Sequence, residues 1–381
     1  MASNLKHFFS PPLVRRLASS VARAYPRFRQ RAFIRSACAG LESLELLDRG
    51  RHIARALAAH LPPDYPEAVE VLLQSLGPEH ATDELLGVGM APFFYYPHLV
   101  YVAEHGLGHF DLSMRAQYEL TKRFSAESSI RPFIAKYPER TIAVLRRWAQ
   151  DDNAHVRRLV SEGTRPRLPW AMRVPWLDEN LGRVVELLEL LKDDSSTLVR
   201  RSVANNLNDV GKLRPDLLAR TCAAWLKDAS KERRELAEHA LRSAVKRGDA
   251  AALRLLGYGR RAAVALERVR FDPPRVAIGG RVSMSFVLRN RWAREQNLLV
   301  DVAVHFVKAR GNGQAKVFKL KRLALPPRGA VELRTAFSLA LHTTRVPRPG
   351  LHAVDVIVNG DRKRAGSFEV ITRAPTSAPR Q

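Results

Sequence analysis

Asp151–Val160, DDNAHVRRLV, and Asp193–Val203, DDSSTLVRRSV, are two versions of one phrase, in which paired acids precede Val-Arg-Arg. The second copy follows the first by roughly one HEAT-type period, which runs about 40 to 47 residues. In such arrays each repeat is a helical unit that buries its apolar face only by stacking on its neighbours. The duplication therefore predicts a helical repeat array. A third, weaker echo lies at Asp228–Ala237, DASKERRELA.

The flanking sequence agrees. From Pro12 to about Ala265 the apolar residues recur at helical spacing, as in EAVEVLLQSL (Glu67–Leu76), RVVELLELL (Arg183–Leu191) and PDLLARTCAAWL (Pro215–Leu226). Gly77-Pro78, Tyr137-Pro138, Gly211, Arg214-Pro215 and Gly248-Asp249 punctuate the run. After Arg270 the period changes to two, with Val282, Met284, Phe286 and Leu288, then Val300, Val302, Val304 and Phe306. About seven strands are expected, beginning near Arg275, Val282, Leu298, Lys316, Val331, Leu351 and Gly366, the strand number of an immunoglobulin-like sandwich. The expected chain is multidomain: an all-α HEAT-like repeat solenoid over 1–267, an all-β immunoglobulin-like sandwich over 268–373, and a disordered tail over 374–381.

Composition narrows the function. At 46% hydrophobic and 27% charged, 381 residues bury a substantial core. Lys and Arg number 63 against 38 Asp and Glu, a net charge of +25 that favours a polyanionic partner, nucleic acid before membrane. The β domain is the more basic part, with 22 Lys and Arg against 7 Asp and Glu from Arg268 onward. Its loops RNRWAR (Arg289–Arg294) and KARGNGQAK (Lys308–Lys316) offer Arg291, Arg294 and Arg310 to phosphates, or are simply solvated turns. The two cysteines, Cys38 and Cys222, lie far apart and indicate neither a disulfide framework nor a cysteine metal site. MASNLKHFF lacks a secretory core, and no run reaches the roughly 18 apolar residues of a membrane span, so a cytoplasmic protein is expected; a monomer is expected as well.

The first copy of the repeat phrase continues as SEGTRPRLPW, Ser161–Trp170. Glu162 ends a helix with Gly163 placed as its cap, and a carboxylate there faces the negative end of the helix dipole at a cost of about 0.3 to 1 kcal/mol. Either chemistry or a salt bridge to Arg158, four residues earlier, explains the conflict. Asp209 precedes Gly211 in NNLNDVGKL in the same way, so the two acids are expected to converge on one groove. Glu127, in SAESSIRPF, opens a helix, where the dipole favours an acid for structural reasons alone. Trp170 ends a proline-stiffened loop, whereas Trp148 and Trp225 lie within helical runs and belong to the core. No P-loop, Gly-x-Ser-x-Gly elbow or HExxH motif occurs. His105 and His109 in AEHGLGHFD have one-face helical spacing, but Gly106 and Gly108 interrupt the helix, and no metal is expected there.

SEGTRPRLPWA, the preceding HVRRLV, the downstream NNLNDVGKLRPDLL and a trailing basic β domain together resemble the AlkC family of alkylpurine DNA glycosylases over nearly the whole chain. The resemblance implies HEAT-like repeats followed by an immunoglobulin-like domain. It also implies removal of cationic methylated bases, such as 3-methyladenine and 3-methylcytosine, from double-stranded DNA without flipping the base. By motif position the family's active-site acids and aromatic fall on Glu127, Glu162, Asp209 and Trp170. Arg157, Arg158, Arg165, Arg167 and Arg201 are then candidates for phosphate contacts. No cofactor is implied. Two other readings remain at this point: a non-catalytic repeat scaffold that binds nucleic acid, and a solenoid whose basic surface meets an acidic protein.

Overall fold

The computed structural model describes residues 5–80, 91–259, 262–307, 315–341 and 347–372. Contacts divide the chain into two compact units, Met1–Leu218 with Trp225–Ala240, and Ala219–Ala224 with Leu241–Gln381.

Fifteen α-helices are seen among the described residues. They are α1 (Pro11–Ala24), α2 (Gln30–Cys38), α3 (Leu46–Ala58), α4 (Tyr65–Gln74), α5 (Tyr96–His105), α6 (Phe110–Thr121), α7 (Arg131–Lys136) and α8 (Pro138–Trp148). There follow α9 (Ala154–Gly163), α10 (Pro175–Glu179), α11 (Leu181–Glu189), α12 (Thr197–Leu213), α13 (Pro215–Trp225), α14 (Lys231–Lys246) and α15 (Ala250–Leu255). A 3-10 turn at Gly106–Gly108 separates α5 from α6, so His105 and His109 do not share a regular helix.

The repeated phrase is a helix-start device. Asn153 caps α9 by accepting from the His155 and Val156 amides, and Ser196 caps α12 by accepting from Leu198. In each copy the first arginine of Val-Arg-Arg reaches back over the helix start to two loop carbonyls. Arg157 donates to Asp151 O and Asp152 O at 2.8 and 2.9 Å. Arg200 donates to Asp194 O and Ser195 O at 2.6 and 2.8 Å. Asp151 and Asp194 each accept an amide two residues on, at 2.8 Å in both copies. These contacts make Asp194, not Asp193, the counterpart of Asp151. Asp194 also takes a bidentate pair from Arg157 at 2.7 and 3.0 Å, tying one repeat to the next, while Asp193 pairs with Arg233 of the third echo. The apolar face of α9, with Val156, Leu159 and Val160 fully buried, packs on α12, where Val199, Val203 and Leu207 are also fully buried. Each such side chain contributes about 1.5 to 3 kcal/mol relative to exposure.

Among the described residues the β unit has eight strands: β1 (Val264–Asp272), β2 (Arg275–Ala277), β3 (Arg281–Asn290), β4 (Gln296–His305), β5 (Lys316–Leu325), β6 (Ala330–Ser338), β7 (Gly350–Val358) and β8 (Asp361–Ile371). They form two sheets, β1-β3-β6 and β2-β8-β7-β4-β5, antiparallel except for the β2–β8 pair. The alternating residues Val282, Met284, Phe286 and Leu288 face Val300, Val302 and Val304 in the shared core. One strand more is present than the alternation suggested. β1 begins ahead of the boundary at 267/268, and a register shift between Glu267 and Arg270, with Arg268 at φ 52°, breaks its period. Leu253 and Tyr258, with helical spacing on either side, pack with Leu299 of β4 and so lie with the β unit.

Candidate active site

Six charged side chains in the helical unit form a ladder of alternating sign: Glu127, Arg158, Glu162, Arg165, Asp209 and Lys212. Arg158 meets Glu127 at 3.1 Å and Glu162 at 3.7 Å. Arg165 meets Glu162 at 2.5 Å and Asp209 at 2.9 Å, and Lys212 closes the row on Asp209 at 2.7 Å. The inner acids are nearly inaccessible, Glu162 at 5% exposure and Asp209 at 1%. Burial alone pushes the Glu162 carboxyl up. The guanidinium groups of Arg158 and Arg165, with hydrogen bonds from Ser202 and Arg165, outweigh that and hold its pKa below the ordinary 4.5. Glu162 is therefore ionised at neutral pH.

Packing brings the acids together, and neither glycine acts as a terminal cap. Gly163 is the last residue of α9, and a Cβ there would stand 2.8 Å from Ile130 Cγ2. Gly211 lies inside α12, where a Cβ would stand 2.3 Å from Leu218 Cδ2. Both are close-approach glycines, at neither of which the chain needs a positive φ. Asn205 has the register of Glu162 in the next repeat, and Asp209 lies one turn further along the longer α12. Convergence of the acids thus comes from Arg165 and not from repeat equivalence.

Arg131 fixes the loop after α9. It is fully buried and donates to Gly163 O at 2.9 Å, Arg165 O at 2.9 Å and Met172 O at 2.7 Å. Burial, then the nearby Arg173, bring its pKa down to about 10, so it remains a cation at neutral pH. Asn206 adds a second tie, donating to Ser161 O at 2.7 Å and Thr164 Oγ1 at 3.0 Å. The bonds to Gly163 O and Ser161 O satisfy carbonyls that the helix end leaves free. At the tip of the loop Trp170 is 68% exposed and has φ 60°. A bulky residue in the left-handed region is strained by about 1 kcal/mol or more, and such strain clusters at functional sites. Trp170, Glu127 and Arg158 line a cavity of about 230 Å³ together with Phe93, Tyr96 and Phe124.

Glu127 does not open a helix: it lies in a turn ahead of α7, held by Arg158. Arg157 is engaged by the Asp194 carboxylate and two loop carbonyls, and Arg167 is clamped by both oxygens of Asp178 at 2.8 Å. Arg158 and Arg165 are taken up by the acids. These four candidates for phosphate contacts all hold partners within the protein. Arg201 is exposed and makes no ion pair among the described residues. In the β unit Arg291 is exposed and Arg294 lies 4.2 Å over the half-exposed Trp292, while Arg310 falls outside the described residues. Trp225 is buried and donates to Glu189 at 2.5 Å, and Trp148 packs on Tyr118. Among the described residues no group of three or more His, Cys, Asp or Glu is placed to hold a metal ion.

Sequence reasoning missed Arg131, Ser202, Asn206 and Lys212. Ser202 follows the repeated Val-Arg-Arg directly and donates to Glu162 at 2.6 Å, so its place beside the motif was the one available signal. Arg131 gave none, because its acceptors are carbonyls far along the chain.

Comparison with known proteins accords with this build. Residues 124–255 match the model of the DNA alkylation repair enzyme family, and residues 265–372 match the C-terminal Ig-like domain of the uncharacterised protein YhaZ. The chain is 33% identical to the uncharacterized protein YhaZ of Bacillus subtilis (strain 168), over 97% of this chain and 99% of that protein. It superposes with a TM-score of 0.87, at 37% identity, on the Pseudomonas fluorescens alkylpurine DNA glycosylase AlkC bound to DNA containing an abasic site analog, covering 97% of this chain and 99% of that one. The chain belongs to the AlkC family of alkylpurine DNA glycosylases.

Proposed function

We propose that this protein is a monofunctional glycosylase that removes cationic alkylated bases, 3-methyladenine and 3-methylcytosine, from double-stranded DNA without flipping them. The observation that carries this reading is the ladder of acids and arginines from Glu127 to Asp209, whose first two members, Glu127 and Arg158, line one cavity with the exposed, strained Trp170.

A base methylated on a ring nitrogen is already positive. When the C1′–N bond breaks, its electron pair neutralises the base, which departs without a general acid. Positive charge develops on the deoxyribose. Fixed carboxylates close to it stabilise that charge through a poorly hydrated interior, where electrostatic effects are strongest. Water adds at C1′ and gives its proton to one of the acids, leaving an abasic sugar. Arg158 and Arg165 keep Glu162 ionised and hold the acids in place, and the Trp170 ring adds cation–π attraction of about 0.5 to 2 kcal/mol. Arg201, Arg291 and Arg294 are left to the phosphates. No step draws on a metal or organic cofactor or on an amine nucleophile.

In this reading the protein works as a monomer in the compartment that holds DNA, the cytoplasm. No helix among the described residues is long and apolar enough to cross a membrane. Chromatography of bases freed from a methylated duplex tests the proposal. Appearance of 3-methyladenine with an intact sugar-phosphate strand supports it. Tight duplex binding with no free base turns the reading to a scaffold, and strand cleavage at the abasic site excludes the monofunctional chemistry.

A further inference from the structure

The stretch Pro11–Ala39 contains seven arginines and no acidic residue. It forms α1 and α2, and every one of the seven is exposed. None makes an ion pair among the described residues, whereas Arg115 pairs with Glu70 and Arg146 with Glu186 on other exposed faces of the helical unit. Unrelieved like charge on adjoining helices is unfavourable by itself and marks a surface made for a polyanion.

The placement of this surface narrows the partner. Arg15, Ser19 and Arg23 recur at every fourth residue along one side of α1 and, with Arg16, form a wall of an open cleft of about 740 Å³. Arg16 lies 5.2 Å over the Phe94 ring on that cleft. Glu79 is the acid in its lining, and it is already engaged by Lys122 at 3.4 Å. His80 and Pro92 line both this cleft and the cavity that holds Trp170 and Glu127, so the arginine wall continues from the candidate active site. Arg15 and Arg23 stand about 12 Å apart along the helix, which matches three to four phosphates of one strand at about 3.4 Å axial spacing.

We propose that the arginine face of α1 binds the backbone of duplex DNA beside the lesion, extending the bound path past the carboxylates. This rests on the glycosylase reading only in taking DNA as the substrate. The test is the dependence of duplex affinity on salt for the full chain, comparing wild type with Arg15→Gln/Arg23→Gln. Each phosphate contact adds about 0.9 to the slope of log affinity against log salt, so the double variant is expected to lose about 1.8. Arg140→Gln, which removes one charge from a pair with Asp111, is the control and is expected to leave the slope unchanged. An unchanged slope in the double variant overturns the proposal, as does an equal fall per charge in the control. Weakened binding to phosphatidylserine vesicles with duplex binding intact also overturns it, assigning the face to a membrane. The slope is read from binding alone, so it is decided independently of base release.

Discussion

Glu162 and Asp209, on neighbouring helices, share one guanidinium: Arg165 gives Nη1 to Glu162 Oε1 at 2.5 Å and Nε to Asp209 Oδ2 at 2.9 Å. One arginine thus helps to hold the Glu162 carboxyl ionised and ties it to Asp209.

Replacing Arg165 by Met leaves two buried acids without their common partner. Breaking a buried pair from one side costs about 3 kcal/mol. Denaturant unfolding of Arg165→Met, Asp209→Asn and the double variant is expected to show a smaller combined loss than the sum of the singles, because the double removes an acid together with the cation that served it. Strict additivity means that the two do not interact.

The pKa of Glu162 is lower in the fold than its ordinary 4.5, so its ionised form stabilises the fold above that value, and this contribution is lost as pH falls through the lower folded value. Base release is therefore expected to stay level from neutral pH down to about 5, with its acid limb below 4.5. In Arg165→Met the limb moves up. A wild-type limb near pH 6 contradicts the assignment of Glu162 as the titrating acid.

Trp170 separates stability from activity. Its side chain is 68% exposed and its φ is 60°, so truncation removes little packing, and glycine alone relieves the backbone. Trp170→Gly is expected to unfold at least as late as Trp170→Ala, by about 1 kcal/mol, while both release base about tenfold more slowly than wild type. Full activity in either variant removes the ring from the mechanism.

Gly211→Ala forces a methyl to 2.3 Å from Leu218 Cδ2 and 3.0 Å from its Cβ. Overpacking of this kind costs about 1 to 3 kcal/mol, more than the roughly 1 kcal/mol that alanine gains in a helix. Thermal unfolding is expected to show the loss, and Leu218→Ala to relieve it. A stabilised Gly211→Ala means that Gly211 is not there for close approach.

Much of this was legible because it is local. The duplicated Val-Arg-Arg phrase, the period-two run of β3 and the acids at Glu162 and Asp209 are each patterns within a dozen residues. What could not be read depends on contacts across the chain. Gly163 and Gly211 look like terminal caps until Ile130 and Leu218 are seen against them. The Arg165–Asp209 pair joins residues 44 positions apart, and the Arg131–Met172 bond spans 41. β1 was hidden for a different reason, since its bulge shifts the alternation by which a strand is recognised.

Single-turnover release of 3-methyladenine from methylated duplex by wild type and Glu162→Gln is the most direct measurement. Gln keeps the shape and an acceptor for Ser202 while removing the charge. With folding and duplex affinity matched, the wild type is expected to release base about 100- to 1,000-fold faster than the variant, the range seen when one preorganised electrostatic group is lost. Equal rates in the two proteins would contradict a catalytic role for the Glu162 carboxylate, and binding without release by either would contradict the glycosylase itself.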